Sequence, residues 1–411
     1  MHVLFISNYF PPEVNAPATR LYEHARQWVK DGGSFDVLTA VPNFPEGVVY
    51  DGYRNSFTQQ EIEGISVTRV PTYIAENKGT FRRMISYASF MLTVLWYVRK
   101  LERKPNVVVA SSPQFFSGLA GYIISRWKRV PFVLEVRDLW PDSIVAVGAI
   151  NRNWLIRVLE KLEKYLYLHS THIVTVTNCF KRIIVEKGVD ENKITVLKNA
   201  ADRETFLKDL DPGKLAEIRR HYGLEGKFVA SYIGTLGMAH RADILIEAAS
   251  RCINSGIVFM AVGAGAERNK IAQRQGELKL ENFRLIEKQP RELVPYFLQV
   301  SDVCIIHLRD APLFRTVIPS KIFEAMVMRK PIALGIRGEA SEIIEAASAG
   351  ICFAPEDADG LVDAVTTLQY DRLLYERLAQ SGYEYTRLHH DRKEMARQYW
   401  DLLERTAQPG A

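Results

Sequence analysis

The sequence predicts an α/β protein built from two doubly wound halves, each a parallel sheet covered by helices, and three observations lead there. Short apolar, β-branched runs alternate with longer amphipathic ones, which is the pattern of parallel strands buried on both faces. The alternation stops at a polar stretch, "NAADRETFLKDLDPGK" (199–214), whose Asp-Pro-Gly is a turn signal, and then restarts. A length of 411 residues, with 47% hydrophobic and 25% charged side chains, fits a globular chain of two domains.

In the first half the strand candidates are "VLFIS" (3–7), "FDVLT" (35–39), "ISVTRV" (65–70), "NVVVA" (106–110), "FVLEV" (132–136), "HIVTVT" (172–177) and "ITVLK" (194–198). Helix candidates lie near 18–30, 82–104, 116–128, 152–169 and 179–188. In the second half "FVASYIG" (228–234), "VFMAVG" (258–263), "FRLIE" (283–287), "DVCIIHL" (302–308), "PIALGI" (331–336) and "GICFA" (350–354) read as strands. The intervening helices are expected near 240–254, 265–276, 291–299, 320–329 and 340–347. From 357 to about 406 the chain reads as polar helix. The expected division is 1–205, 206–385, and a C-terminal helical segment, 386–411, returning to the first domain. Ligands of such Rossmann-like sheets bind beyond the carboxyl ends of the strands, so both halves are expected to turn those loops into a cleft.

Composition narrows the class. The four cysteines, Cys179, Cys252, Cys304 and Cys352, form no close pair, which excludes a local zinc knuckle and fits a reducing compartment. The opening "MHVLFISNYF" has no basic stretch and no long apolar core, so a cytoplasmic protein without signal peptide is expected. The positive charge is uneven: residues 1–205 hold 26 Lys and Arg against 20 Asp and Glu, and the remainder 27 against 28. Much of the excess is Lys78, Arg82, Arg83, Arg99, Lys100, Arg103 and Lys104, opposed by Glu102. Between these groups "MISYASFMLTVLWYV" (84–98) carries no charge. At fifteen residues it is short of the roughly twenty that a span needs. Two readings stand: a helix at a membrane interface, anchored by Tyr87, Trp96, Tyr97 and the basic ends, or a helix packed on a sheet. A nucleic-acid partner is not expected, because no stacking-aromatic motif accompanies the basic residues.

The strand-end loops hold the candidate chemistry. "NYFPPEVNAPATRLYEHA" (8–25) follows the first strand and contains no GxGxxG, which weakens a dinucleotide cofactor. "EVRDLWPDS" (135–143) sets Arg137 and Asp138 at a strand end, as a structural ion pair or as substrate contacts, with Trp140 suited to stacking or to burial. "YIGTLGMAHRADILIEAA" gives Gly234 and Gly237, with His240 and Arg241 expected at a helix start, and "VGAGAERNKI" gives Gly263. Glycines there let backbone approach an anion closely. In "VIPSKIFEAMVMRK", beginning at Val317, Ser320 and Lys321 precede a helix, with Glu324 about 6 Å further along. A diphosphate on the helix start is one reading and an ordinary capped helix the other.

These motifs, with "LKNAADRETF" and "PSKIFEAMVMRKPIALGIRGEASEII", resemble those of glycosyltransferase family 4, the GT-B sugar-nucleotide transferases, along essentially the whole chain. The branch it looks most similar to contains bacterial O-antigen and capsule enzymes, N-acetyl-L-fucosaminyltransferases among them. The resemblance implies a UDP-sugar donor, a lipid-diphosphate-linked saccharide acceptor, no metal and no further cofactor. The basic, aromatic-flanked apolar helix supports such an acceptor, with peripheral attachment to the cytoplasmic membrane face through 82–104 expected. Glu324 matches the family's second glutamate, which holds the ribose, while Thr316 stands where the first would be. Thr235 and His240 occupy the places of the diphosphate cations, which leaves Lys321, Arg241 or Arg315 to supply the charge. The donor loop appears as "RGEASE", with Glu342 matching and Glu339 in place of a glycine. The base would rest against Glu287, Lys288 and Gln289. The catalytic candidates are Arg137, Asp138 and Lys321. Two alternatives remain beside transfer, a sugar-nucleotide epimerase of the same architecture and a non-catalytic binding or membrane-docking module.

Overall fold

The computed structural model describes residues 1–44, 46–74, 80–101, 103–112, 115–143 and 154–408. Lys78, Glu102 and the expected helix start at 152 lie outside these, as does the side chain of Arg83. The chain divides into two compact units, Met1–Lys198 with Arg392–Ala411, and Asn199–Asp391.

The first unit holds an eight-stranded sheet: β1 (His2–Ile6), β2 (Ser34–Ala40), β3 (Thr58–Ile62), β4 (Ile65–Val70), β5 (Val107–Ser111), β6 (Phe132–Val136), β7 (His172–Thr175) and β8 (Ile194–Val196). Their order is β3-β4-β2-β1-β5-β6-β7-β8. All the pairings are parallel except β3 with β4. β3, "TQQEI", is absent from the expectation because it is polar and largely exposed at the sheet edge. It is joined to β4 by Glu63 and Gly64, both at positive φ (50° and 79°), the geometry of a two-residue hairpin turn. The direction of winding reverses between β1 and β5, so the loops after those two strands diverge around a crevice.

The second unit holds β9 (Phe228–Ile233), β10 (Ile257–Val262), β11 (Phe283–Ile286), β12 (Val303–His307), β13 (Ile332–Gly335) and β14 (Gly350–Cys352). The order is β11-β10-β9-β12-β13-β14, all parallel, and the reversal falls between β9 and β12. Apolar clusters cover this sheet on both faces, one around Tyr232, Phe259 and Phe283, the other around Val229, Met260 and Val300.

Three helix expectations need correction. The polar stretch 199–214 contains Arg203–Phe206 and the start of Pro212–His221. Asp202 and Asp211 cap them, accepting from Glu204 N at 3.1 Å and Gly213 N at 2.8 Å, so Asp-Pro-Gly here starts a helix with proline at its first position. The helix expected from 240 begins at Ile244, which leaves His240 and Arg241 ahead of it, with Arg241 at a φ of 45°. The membrane-interface candidate runs Thr80–Tyr97 and tightens into a 3₁₀ turn, Val98–Lys100. No helix among the described residues is long and apolar enough to cross a membrane.

The C-terminal region folds as three helices, Ala358–Tyr370, Arg372–His389 and Arg392–Ala407. Only the last joins the first unit. Its Ala396, Tyr399, Leu402 and Leu403 enter the core that holds Phe5, Trp28 and Phe35. Trp28 Nε1 donates to Ala396 O at 2.7 Å, and Arg392 meets Glu23 at 2.8 Å with both side chains buried.

Candidate functional site

In the second unit, backbone crowding explains why the strand-end loops use glycine. A Cβ on Gly263 would meet Gly234 O at 1.9 Å, and one on Gly338 would meet Arg315 O at 2.1 Å. The loops after β9 and β10 are laced together by Gly234 N donating to Val262 O at 2.8 Å and Leu236 N to Ala264 O at 2.9 Å. Gly237 is different: its nearest neighbours stand 3.5 Å from a built Cβ, so packing alone would tolerate a side chain there.

Gly234 makes room for Lys321. A Cβ at Gly234 would fall 2.5 Å from Lys321 Nζ, which lies 3.9 Å from the centroid of the Tyr232 ring. Burial lowers the Lys321 pKa to about 8, with the charge of Glu324 opposing the drop. Glu324, one turn on, lines a small cavity of about 20 Å³ with Ser231, Cys304 and Lys321 at the reversal point of the sheet. The helix Lys321–Val327 has seven residues, and Ser320 makes no side-chain cap. The amides of Ile322 and Phe323 donate back to Pro319 and Ser320.

The other candidate cations are engaged with carboxylates. Arg241 Nε bonds Asp243 Oδ1 at 3.0 Å, and Lys270 takes the second oxygen at 3.2 Å. Burial would raise the Asp243 carboxyl, but Lys270 and Arg241 outweigh it and hold the pKa below its ordinary value. Arg315 meets Asp310 Oδ1 and Arg337 meets Asp310 Oδ2, each at 3.3 Å, so one carboxylate aims two half-exposed guanidinium groups. Arg337, first residue of "RGEASE", is a cation that the motif alone does not single out. Thr235 is exposed and its carbonyl accepts from Tyr232 OH at 2.8 Å, while Thr316 Oγ1 donates to Leu313 O at 2.6 Å. Glu339 is buried in the first turn of the helix Glu339–Ala347, and Glu342 sits exposed on the same turn. At the end of β11, Lys288 is exposed and Gln289 Nε2 donates to Glu287 O at 3.1 Å.

His307 is structural. His307 Nε2 accepts from Glu356 N at 2.8 Å, so the ring proton is on Nδ1, which donates to His240 O at 2.8 Å. This neutral imidazole ties three loops together. Burial, then the charge of Lys321, lowers the His240 pKa to about 3, so it carries no charge at neutral pH.

In the first unit Arg137 and Asp138 have separate partners. Arg137 Nη2 donates to Ala16 O at 3.2 Å, and burial lowers its pKa to about 10. Asp138 is raised by burial, against hydrogen bonds from Ser143 and Leu139 N. Ser112 Oγ joins the two backbones, accepting from Arg137 N at 3.0 Å and donating to Asp138 O at 3.4 Å. The neighbouring Glu135 is held instead by buried Arg20, at 3.1 Å. Trp140 is buried and stacks on Phe115, centroids 5.7 Å apart.

Glu13, in the loop after β1, is a further group that the motifs do not point to. It is 2% exposed, and its Oε1 accepts from Asn43 N (3.1 Å) and Phe44 N (3.0 Å). Its Oε2 has no hydrogen-bond partner among the described residues, and burial raises the pKa to about 7. A Pro-Pro-Glu run on a strand-end loop was the available signal.

Residues 15–200 match the family described as Glycosyl transferase 4-like domain, and 216–385 match Glycosyl transferases group 1. The chain belongs to the glycosyltransferases. It is 22% identical over 376 residues, 89% of its length and 91% of the relative's, to an Escherichia coli (strain K12) protein bearing the name colanic acid biosynthesis glycosyl transferase WcaI. It is 26% identical, over 67% of its length and 70% of the relative's, to an Escherichia coli UDP-Gal:alpha-D-GlcNAc-diphosphoundecaprenol alpha-1,3-galactosyltransferase. Among solved structures, Anabaena HepE in complex with UDP and glucose aligns with a TM-score of 0.74 at 17% identity, covering 98% of this chain and 99% of that one. WaaG, a glycosyltransferase of lipopolysaccharide biosynthesis, aligns over all of both chains with a TM-score of 0.71 at 13% identity. These likenesses show the GT-B fold. In this glycosyltransferase the second unit therefore offers glycine-lined loops at a sheet reversal, with one lysine and a carboxylate at the reversal itself and two exposed guanidinium groups on the loops after β12 and β13. That set suits a polyanion attached to a hydroxylated ring. Among the described residues, no group of His, Cys, Asp and Glu is arranged to hold a metal ion.

Proposed function

We propose that this glycosyltransferase moves a sugar from a UDP-sugar to a saccharide carried on a lipid diphosphate, at the cytoplasmic face of a membrane, in the assembly of a bacterial surface polysaccharide. The observation that carries the donor half is the room Gly234 leaves for Lys321 at the β9–β12 reversal, one helical turn from Glu324. In this reading the leaving diphosphate meets Lys321, with Arg315 and Arg337 adding charge, and Glu324 accepts hydrogen bonds from the ribose. Charge that develops on the leaving group is then stabilised by groups already in place, and such preorganised stabilisation commonly lowers the barrier more than any other effect. Arg137 and Asp138 serve the acceptor side, and the base rests against Lys288 and Gln289. The relative that acts on a diphosphoundecaprenol-linked sugar supports the acceptor class, and the HepE complexes support UDP.

N-acetyl-L-fucosamine is the donor sugar to test first, on the motif resemblance alone. Retention of configuration and independence from metal belong to the same reading; the anomer seen by NMR and activity in excess EDTA test them. The deciding experiment incubates a panel of UDP-sugars with synthetic lipid-diphosphate saccharides. Acceptor-dependent product supports transfer. Donor turnover without acceptor favours an epimerase, and donor binding with no product under any condition favours a non-catalytic module.

A further inference from the structure

Large apolar side chains stand exposed at nineteen positions among the described residues, and nine of them fall on three helices, Thr80–Tyr97, Phe115–Lys128 and Trp154–His169. That concentration separates one face from the scattered exposure usual on a soluble surface. The helices are neighbours on one side of the eight-stranded sheet, the first packing on the second and the second on the third. On the first helix the outward stripe is Ile85, Leu92 and Trp96, the last 66% exposed. On the third it is Trp154 (74% exposed), Val158, Leu162 and Tyr165, at intervals of four, four and three residues, one helical face. The stripes are connected across the second helix. Arg99 lies over both Trp96 and Trp127, 5.7 and 5.8 Å from the ring centroids, and Tyr122 OH meets Tyr165 OH at 3.2 Å.

Charge says what covers this face. Among the described side chains of the three helices, every exposed charged one is basic: Arg82, Arg126, Arg157, Lys161 and Lys164. Glu160 is only partly exposed, and Glu163 turns inward to Tyr167 and Lys187. A two-fold dimer would set this basic surface against itself, which is repulsive. Tryptophan and tyrosine rings among Lys and Arg heads, on helices too short to span, match a bilayer interface with anionic headgroups.

We propose that the three helices together form a docking plane for an anionic bilayer, with the helix Trp154–His169 as essential to it as the basic-ended helix Thr80–Tyr97. This rests on the reading of a lipid-linked acceptor and extends the contact well beyond residues 82–104. The test is sedimentation of the full chain with vesicles of phosphatidylcholine alone and of phosphatidylcholine mixed with phosphatidylglycerol. The native chain should bind the mixed vesicles and release as salt rises. Trp154→Ala with Leu162→Ser, Arg157→Glu with Lys161→Glu, and Trp96→Ala with Trp127→Ala should each weaken binding at least tenfold. Tyr370→Ala with Leu373→Ser, equally exposed on the other unit, should leave it unchanged. Thermal stabilisation by UDP, retained in every variant, would keep a docking result separate from the donor site. Native-like binding by both variants of the 154–169 helix overturns the plane, as does binding no stronger with phosphatidylglycerol. A native dimer dispersed by the same substitutions would also overturn it, assigning the face to a second copy.

Discussion

Lys321 owes its chemistry to a neighbour that has no side chain. Because Gly234 leaves space, the ammonium can lie against Tyr232 with part of its hydration lost, and the pKa falls to about 8. Below that pH it is charged, and a bound diphosphate favours the charged form further. UDP affinity is therefore expected to be flat up to about pH 8 and to fall by as much as about tenfold per pH unit above it. Calorimetric titrations at pH 7, 8 and 9 check this, and Lys321→Gln should bind weakly with the slope removed. Glu324→Ala should weaken UDP binding by about 1–3 kcal/mol through lost charged hydrogen bonds; an unaltered Kd removes its ribose role. Glu13 gives an opposite kind of pH signature. Its folded pKa, about 7, lies above the reference 4.5, so its favourable contribution is complete below 4.5 and is lost as pH rises through 7. Relative to Glu13→Gln, the native chain should lose about 3 kcal/mol of stability over that window, read by denaturant unfolding.

The strand-end loops of the second unit behave as a single packed layer, since their glycines face backbone atoms that cannot move aside cheaply. Gly263→Ala should cost about 1–3 kcal/mol and loosen the β9 loop with it, visible as faster amide exchange at Gly234 and Leu236, which bond to that strand and loop. The helix Arg392–Ala407 is the corresponding keystone of the first unit, being remote in sequence yet part of its core. Tyr399 is fully buried against Trp28, so Tyr399→Ala should destabilise the first unit by about 3–5 kcal/mol. Amide exchange should accelerate in Met1–Lys198 and remain native within Asn199–Asp391.

Two sheets of the same winding give the chain two separate reversal points, and the candidate donor groups gather at only one of them. UDP should therefore raise stability by about 2.7 kcal/mol at a hundredfold excess over its Kd. Exchange protection should appear at 234–241, 263–265 and 320–324, all in the second unit. Protection spread through Met1–Lys198 instead would move the nucleotide to the wrong unit.

Much of this was readable in the residues. β-branched apolar runs gave thirteen of the strands, since burial on both sheet faces demands an unbroken apolar stretch. β3 escaped because an edge strand needs no apolar side chains, only a partner and a turn. The glycines and Lys321 could be named from the order of the chain, whereas the reason for Gly234 required seeing Lys321 arrive from far along the sequence. Which cations stay available was equally illegible. Arg241 is claimed by Asp243, which Lys270 also bonds, and Arg337 is aimed by Asp310. The outward apolar stripe at 154–169 reads in sequence as an ordinary amphipathic helix, for periodicity reports that a helix has two faces but not which of them the sheet covers. Local pattern is written in nearest neighbours and so survives in one dimension. Charge pairing, desolvation and exposure depend on groups that only folding brings together.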